Sequence, residues 1–452
     1  MKIFIIIPIA VICLTLLSCE KSFLEAKPDK ALVVPRTLED FQNLMNDDAI
    51  MNVASGFGVI GADNYYTTDA GWTALRSPVE KNGYIWAADI YEGTTTSSWS
   101  TPYEQVFKAN VVLEGLDKIT VKSSQEAEWK RLKGSALFYR AYAFYHLSQI
   151  FAAPYDQQTA GKSLGIPLKL SADINDVPRR GTLQQTYDQV IGDLMMAKTL
   201  LPRLSDYKTR PSKAAAFALL ARIYLSMEDY EKAGTYADSC LNVQSFLQDY
   251  NKLSTTAARP ITRTNQEIIY QNRFISHGIF TSTATIIDSN LYRSYSTNDL
   301  RKRIFFNDRG NGVINFKGSY DGTTNLFGGL VTDEMYLIRA ECYARAGKAV
   351  DAMNDLNTLL ATRWKTGTFV RLTAPAAEDA LKIILDERRK ELVFRGLRWS
   401  DLRRLNKDQR FSVTLTRKVN GSTYSLAPND KRYVYPIPNE EIVMSGIEQN
   451  ER

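Results

Sequence analysis

The chain has 452 residues, with 56 Lys and Arg against 50 Asp and Glu, a formal charge of +6 and only two histidines. A charge so nearly balanced excludes a dedicated nucleic-acid binder, and two histidines make a poor stock of general bases and zinc ligands. The length is ample for a large core.

The first element is a targeting segment. Lys2 precedes an apolar run from Ile3 to Leu17, which closes on Ser18 and Cys19 before the polar Glu20-Lys21-Ser22. The run falls short of the roughly 20 apolar residues that span a bilayer. A basic start, a short apolar core and a small residue before cysteine form the pattern of a bacterial lipoprotein signal. Residues 1–18 are expected to be removed and Cys19 to carry the lipid, so that residues 19–452 form one exported, tethered domain. Of the other cysteines, Cys13 leaves with the signal, while Cys240 and Cys342 sit in helical stretches and read as buried thiols.

An irregular region, 47–100, comes next, followed by helical repeats over about 101–245 and 331–406. Tyr103–Ile119 and Glu126–Phe151 form a first pair, with Ala109, Leu113 and Leu116, then Ala136, Tyr139 and Ala143, on helical spacing. Tyr187–Leu201 follows and stops at Pro202. Residues 216–241 and 335–360 are self-similar: Ala221, Tyr224 and Ala233 recur as Ala340, Tyr343 and Ala352 at the same spacing. Small residues at helix crossings, an aromatic one turn on and tight turns at Glu228-Asp229 and Gly347-Lys348 describe a tetratricopeptide-like helical hairpin. Ala376–Phe394 and Trp399–Leu405 read as the last helices. The fold class is therefore mostly α, a hairpin scaffold carrying long irregular insertions with short strands at about 47–100 and 243–330. Insertions of that length usually carry function.

Chemical motifs are sparse. Gly56, Gly58 and Gly61 satisfy G-x-G-x-x-G but lack the flanking strand and helix of a dinucleotide site. His146 lies on an apolar helix and reads as a satisfied packing residue. There is no H-E-x-x-H, no paired C-x-x-C and no G-x-S-x-G, and Asp63 and Asp69 lack calcium-ligand spacing. No catalysis, cofactor or metal is expected. The charge run Asp386–Leu392 reads as a solvated or interhelical salt-bridged face, with Lys390 pairing Asp386 or Glu387.

Glu387-Arg388-Arg389-x-Glu391-Leu392, followed by Gly396-x-Arg398-Trp399-x-Asp401-Leu402-Arg403, resembles the C-terminal signature of the SusD/RagB family of Bacteroidota outer-membrane lipoproteins. Five further blocks match in order: Cys19-x-x-x-Phe23-Leu24-Glu25-x-x-Pro28, Tyr103-x-x-Val106-x-x-Ala109-Asn110 with Gly134-x-Ala136-x-Phe138-x-Arg140-Ala141, Arg210-x-Ser212-Lys213-x-Ala215-Ala216, Glu334-x-Tyr336-Leu337-x-Arg339-Ala340-Glu341, and Tyr435-Pro436-Ile437-Pro438-x-x-Glu441-Ile442. Arg395 departs from the family's usual acidic residue before the glycine. The resemblance implies a lipid-anchored, outward-facing outer-membrane protein that captures oligosaccharide and delivers it to a SusC-like TonB-dependent barrel. Alternatives are a peptide-binding member of the same import system, or a protein-interaction scaffold without a small ligand.

Sugars stack their apolar faces on aromatic rings and bond their hydroxyls to planar polar groups. Tyr65, Tyr66 and Trp72 cluster in a polar loop of the first insertion and are expected to form an aromatic platform. Phe274, His277 and Phe280 are the candidates in the second insertion, while Trp86, Trp99 and Trp399 are assigned to structure.

Overall fold

The computed structural model describes residues 35–452 except residue 282, so the targeting segment and Cys19 lie outside the described residues. Thr37 opens α1 (Leu38–Met45) with a capping box closed by Asp40, which satisfies two of the amides a helix start leaves unpaired. Next along the chain, α2 (Ser97–Leu116) begins six residues before its expected start because the Thr96 hydroxyl caps it from upstream. It packs against α3 (Glu126–Phe151), whose limits match the sequence reading. Phe138, Tyr142, Phe144 and Tyr145 are all buried on α3, the all-round burial of a central helix. α4 (Leu183–Leu200) starts early for the same kind of reason: Thr182 and Gln185 form a second capping box.

The two self-similar segments are helical hairpins. α5 (Lys213–Ser226) pairs with α6 (Tyr230–Leu241), and α7 (Thr332–Arg345) with α8 (Ala349–Ala361). Ala221, Ala233, Ala340 and Ala352 are fully buried, letting the backbones approach closely. Both turns need a left-handed residue at the equivalent place: Glu228 at φ 63° and Gly347 at φ 80°. Glycine adopts that conformation without a Cβ clash. Although the insertion separates them in sequence, α6 packs directly on α7, which in turn holds α9 (Ala377–Glu391). The helices thus succeed one another as a stack from α2 to α9, and α10 (Arg398–Leu405) follows. Cys240 and Cys342 are free and buried in this stack.

The described strands form six two-stranded sheets, among them the antiparallel pair of β3 (Leu164–Pro167) and β4 (Arg180–Thr182) ahead of α4. Two tie the insertions to each other: β1 (Val53–Ala54) pairs in parallel with β6 (Arg273–Phe274), and β2 (Tyr65–Thr67) antiparallel with β7 (Thr285–Ile287). β5 (Ile268–Tyr270) pairs with β10 (Leu330–Val331) where the second insertion leaves and rejoins the helices.

Buried ion pairs lock the insertion to the scaffold. Arg363, after α8, donates to Glu267 (2.6 Å) and Glu391 (2.7 Å). Arg301, in the insertion, donates to Asp299 (2.7 Å), Glu387 (2.6 Å) and Glu391 (3.0 Å). Arg301 and Arg363 are wholly inaccessible, so every one of these charges depends on its partners for solvation. The charge run on α9 is therefore an interhelical face. Lys390 pairs with Glu387 at 2.6 Å, Arg388 with Asp401 at 2.9 Å, and Arg389 and Arg398 both reach Asp63. Arg395 donates to Asp333 at 3.2 Å and lies over the Tyr320 ring.

Candidate ligand-binding cleft

The second insertion folds into a cleft of about 490 Å3, within the ordinary range for small-ligand sites. One wall is the hairpin of β8 (Phe306–Asp308) and β9 (Ile314–Phe316). A second is formed by Phe280, Thr281, Thr283 and Thr285, on the approach to β7, and loops around 256–259 and 319–326 complete it. The Asn315 amide ties the walls together by donating to the carbonyls of Thr283 (3.2 Å) and Thr285 (2.8 Å).

The lining combines aromatic rings with hydroxyls, amides and cations. Phe316 stacks on Phe394 at 4.8 Å with 24° between the ring planes, and Phe280 lies half-buried in the lining. The side chains of Thr283, Thr324 and Asn307 make no hydrogen bond among the described residues and can serve a ligand. Arg259, Arg309 and Lys317 also line it.

Of the six aromatic and histidine candidates, the cleft contains Phe280. Tyr65 is buried at 3% exposure, and its hydroxyl donates to the Ile60 carbonyl. Tyr66 is exposed, but it pairs across the sheet with Ile286, on the face opposite Thr285. Adjacent strand residues point to opposite faces, so Tyr65 and Tyr66 cannot share a platform. Trp72 sits half-buried on a one-turn helix, Asp69–Thr73, packed behind the cleft wall. Its indole N–H donates to the Lys81 carbonyl at 3.1 Å, and a Cβ on the preceding Gly71 would fall 2.3 Å from Ala284. Phe274 is buried beneath Gly396 and Gly328. His277 is buried as well, with Nδ1 3.5 Å from a Glu80 carboxylate oxygen. Burial alone would raise the Glu80 carboxyl, but the His277 hydrogen bond and the Gly278 and Ile279 amides bring it below its ordinary value. That arrangement anchors the segment carrying Phe280.

Further spaces lie within the scaffold. A cleft of about 670 Å3 lies beneath the C-terminal segment. Two of its polar residues hold that segment: Arg180 donates to the Gly165 and Glu448 carbonyls, and Asn450 to those of Phe151 and Tyr435, while Arg403 Nε, Asn406 Nδ2 and the Tyr433 hydroxyl are buried without a partner among the described residues. The other is a cavity of about 20 Å3 beside His146, room for about one water. His146 is not the satisfied packing residue expected: its ring packs 4.4 Å from Tyr142, but buried Nε2 has no protein partner. Burial, aided by Arg222, lowers its pKa to about 3, so it is neutral. Trp86, Trp99 and Trp399 are buried structural residues, as assigned. Gly56, Gly58 and Gly61 belong to a packed turn of helix; a Cβ on Gly61 would lie 2.6 Å from the Tyr435 hydroxyl and 2.7 Å from Trp399.

A stack of helices carries a polar and aromatic cleft on one insertion, of a size able to hold a small ligand. No described helix is long and apolar enough to cross a bilayer. Residues 22–225 match the family model described as starch-binding, associating with the outer membrane, and residues 333–452 match that of the SusD family. The chain belongs to the SusD/RagB family. Formosa agariphila has two similar proteins. SusD-like protein P38 is 23% identical over 96% of this chain and 95% of its own length. SusD-like protein P2 is 28% identical over 51% of this chain and 45% of its own. The fold is shared with a SusD superfamily protein of Bacteroides thetaiotaomicron (TM-score 0.74, 22% identity, covering 92% of this chain and 100% of that one). It is shared too with surface glycan-binding protein A of Bacteroides uniformis (TM-score 0.70, 19% identity, 92% and 99%).

Proposed function

We propose that this protein captures oligosaccharide in the cleft of the 243–330 insertion and passes it to a SusC-like TonB-dependent barrel, without turnover. It would be held at the outer face of the outer membrane by lipid on Cys19. The observation that carries the reading is the lining itself. Phe280 and the Phe316–Phe394 stack offer apolar surface to sugar rings, and Thr283, Thr324 and Asn307 offer free polar groups to hydroxyls. Aromatic stacking with a few placed polar groups is the ordinary chemistry of such sites. The glycan-binding description of the structural relative from Bacteroides uniformis is in keeping with it.

Phe280→Ala tests the reading. Loss of one aromatic wall should weaken oligosaccharide binding by about tenfold, the effect of about 1.4 kcal/mol, in isothermal titration calorimetry. The melting temperature should move little, since Phe280 is only half-buried. Unchanged affinity would remove this cleft as the site, and retention of peptides in place of sugars would move the protein to the peptide-importing alternative.

A further inference from the structure

The charge of the cleft is one-sided. Arg259, Arg309 and Lys317 line it, and no aspartate or glutamate does. None of the three has a carboxylate within ion-pair distance among the described residues. Arg259 donates to its neighbour's carbonyl, Ala258 (2.8 Å), and Arg309 Nε to the Asn315 amide oxygen. Lys317 Nζ donates to the carbonyls of Thr255 (2.7 Å) and Ala257 (3.1 Å). Arg301, Arg363 and Arg404, by contrast, are tied to carboxylates, although Arg403 and Arg417 are also held by backbone carbonyls. An adjoining cleft shares Thr256, Asn307 and Lys317 with the first and adds Lys302 and Arg303. Its single carboxylate, Asp308, accepts from the Gly310 amide. The sequence as a whole holds 56 basic to 50 acidic residues, so the concentration of positive charge arises from placement.

We infer that the cleft selects an anionic oligosaccharide, one bearing carboxylate or sulfate ester groups beside stackable sugar rings. This rests on the glycan reading above and names its substrate class. A guanidinium presents parallel N–H donors that match a carboxylate or sulfate fork. Clustered like charges without counter-ions repel one another, and an anionic ligand relieves that repulsion while a neutral one leaves it in place. Lys317 points the same way, since burial lowers its ammonium pKa and an anion in the cleft would reverse that.

The full chain in detergent would be applied to a glycan array carrying uronate, sulfate-ester and neutral oligosaccharides, followed by calorimetry with alginate, carrageenan and malto-oligosaccharides of equal length. The expected result is acidic ligand bound at least about tenfold more tightly than neutral at about 0.05 M salt, the gap shrinking at about 0.5 M as screening sets in. The alginate and carrageenan arms distinguish carboxylate from sulfate. Arg309→Gln and Arg259→Gln should each weaken the acidic ligand by about tenfold and neutral sugars by much less, so that the acidic-to-neutral ratio falls. Neutral sugars bound as tightly as acidic ones, with both variants silent, would overturn the inference and leave the glycan reading standing. An array that retains no sugar of any class would overturn both.

Discussion

Glu391 accepts from two arginines at once, Arg301 at 3.0 Å and Arg363 at 2.7 Å, with all three side chains inaccessible. Removing its charge leaves both guanidinium groups under-compensated in a low dielectric. Glu391→Gln is therefore expected to cost about 3–5 kcal/mol, the scale of breaking a buried pair from one side, measured by urea unfolding. Glu341 is one of the carboxylates that contribute pH dependence. Burial alone would raise its carboxyl, yet Arg404, with Arg345 and Arg388, holds it down from 4.5 to about 2. A depressed folded pKa contributes stability that is complete above the unfolded value near 4.5 and lost as pH falls through about 2. About 3 kcal/mol is at stake for a shift of that size. Unfolding free energies between those pH values should fall more gently for Glu341→Gln than for the parent chain. An equal slope would assign acid lability to other carboxylates.

Among the helices, the two hairpins differ informatively at their turns. Gly347 occupies a left-handed position freely at φ 80°, whereas Glu228 is strained there at φ 63°. Gly347→Ala should cost about 1 kcal/mol, read as a lowered denaturation midpoint without change in the slope of the transition. These helices were legible because apolar residues recur along them at helical period and the small residues recur between repeats. Helix starts were less legible: Thr96 and Thr182 act upstream of the first periodic residue. The strands were nearly invisible, since most are two or three residues long and depend on partners far away, as Val53 does on Arg273. The charge run on α9 showed its charges but not its burial, because Arg301 and Arg363, which bury Glu391, lie outside it.

At the scale of the whole molecule, the insertion that holds the proposed cleft was legible in the sequence and the residues lining that cleft mostly were not. The Ser-, Thr- and Asn-rich irregularity of 243–330 marked the insertion, and Phe280 stood out as an aromatic within it. Thr283, Asn307 and Lys317 carry no periodic signal, and Arg259 and Arg309 come together only through the fold. Tyr65 and Tyr66 misled because adjacent aromatics on a strand diverge, which the loop reading could not reveal. The lipid anchor proposed on Cys19 is tested in cells. Cys19→Ala should shift the protein from the membrane pellet to the soluble fraction without altering its affinity for sugar, as measured by fractionation and calorimetry.

The buried arginine–carboxylate clamp has a consequence for how such a protein diversifies. Glu267, Asp299 and Arg301 anchor the insertion to Arg363, Glu387 and Glu391 of the scaffold, and none of these six faces the cleft. Foundation and furnishing are thus held by separate residues. Changes at the lining positions of 256–259 and 307–309 are therefore expected to leave the clamp seated. A lineage built this way can vary the lining of this cleft without having to reinvent its fold.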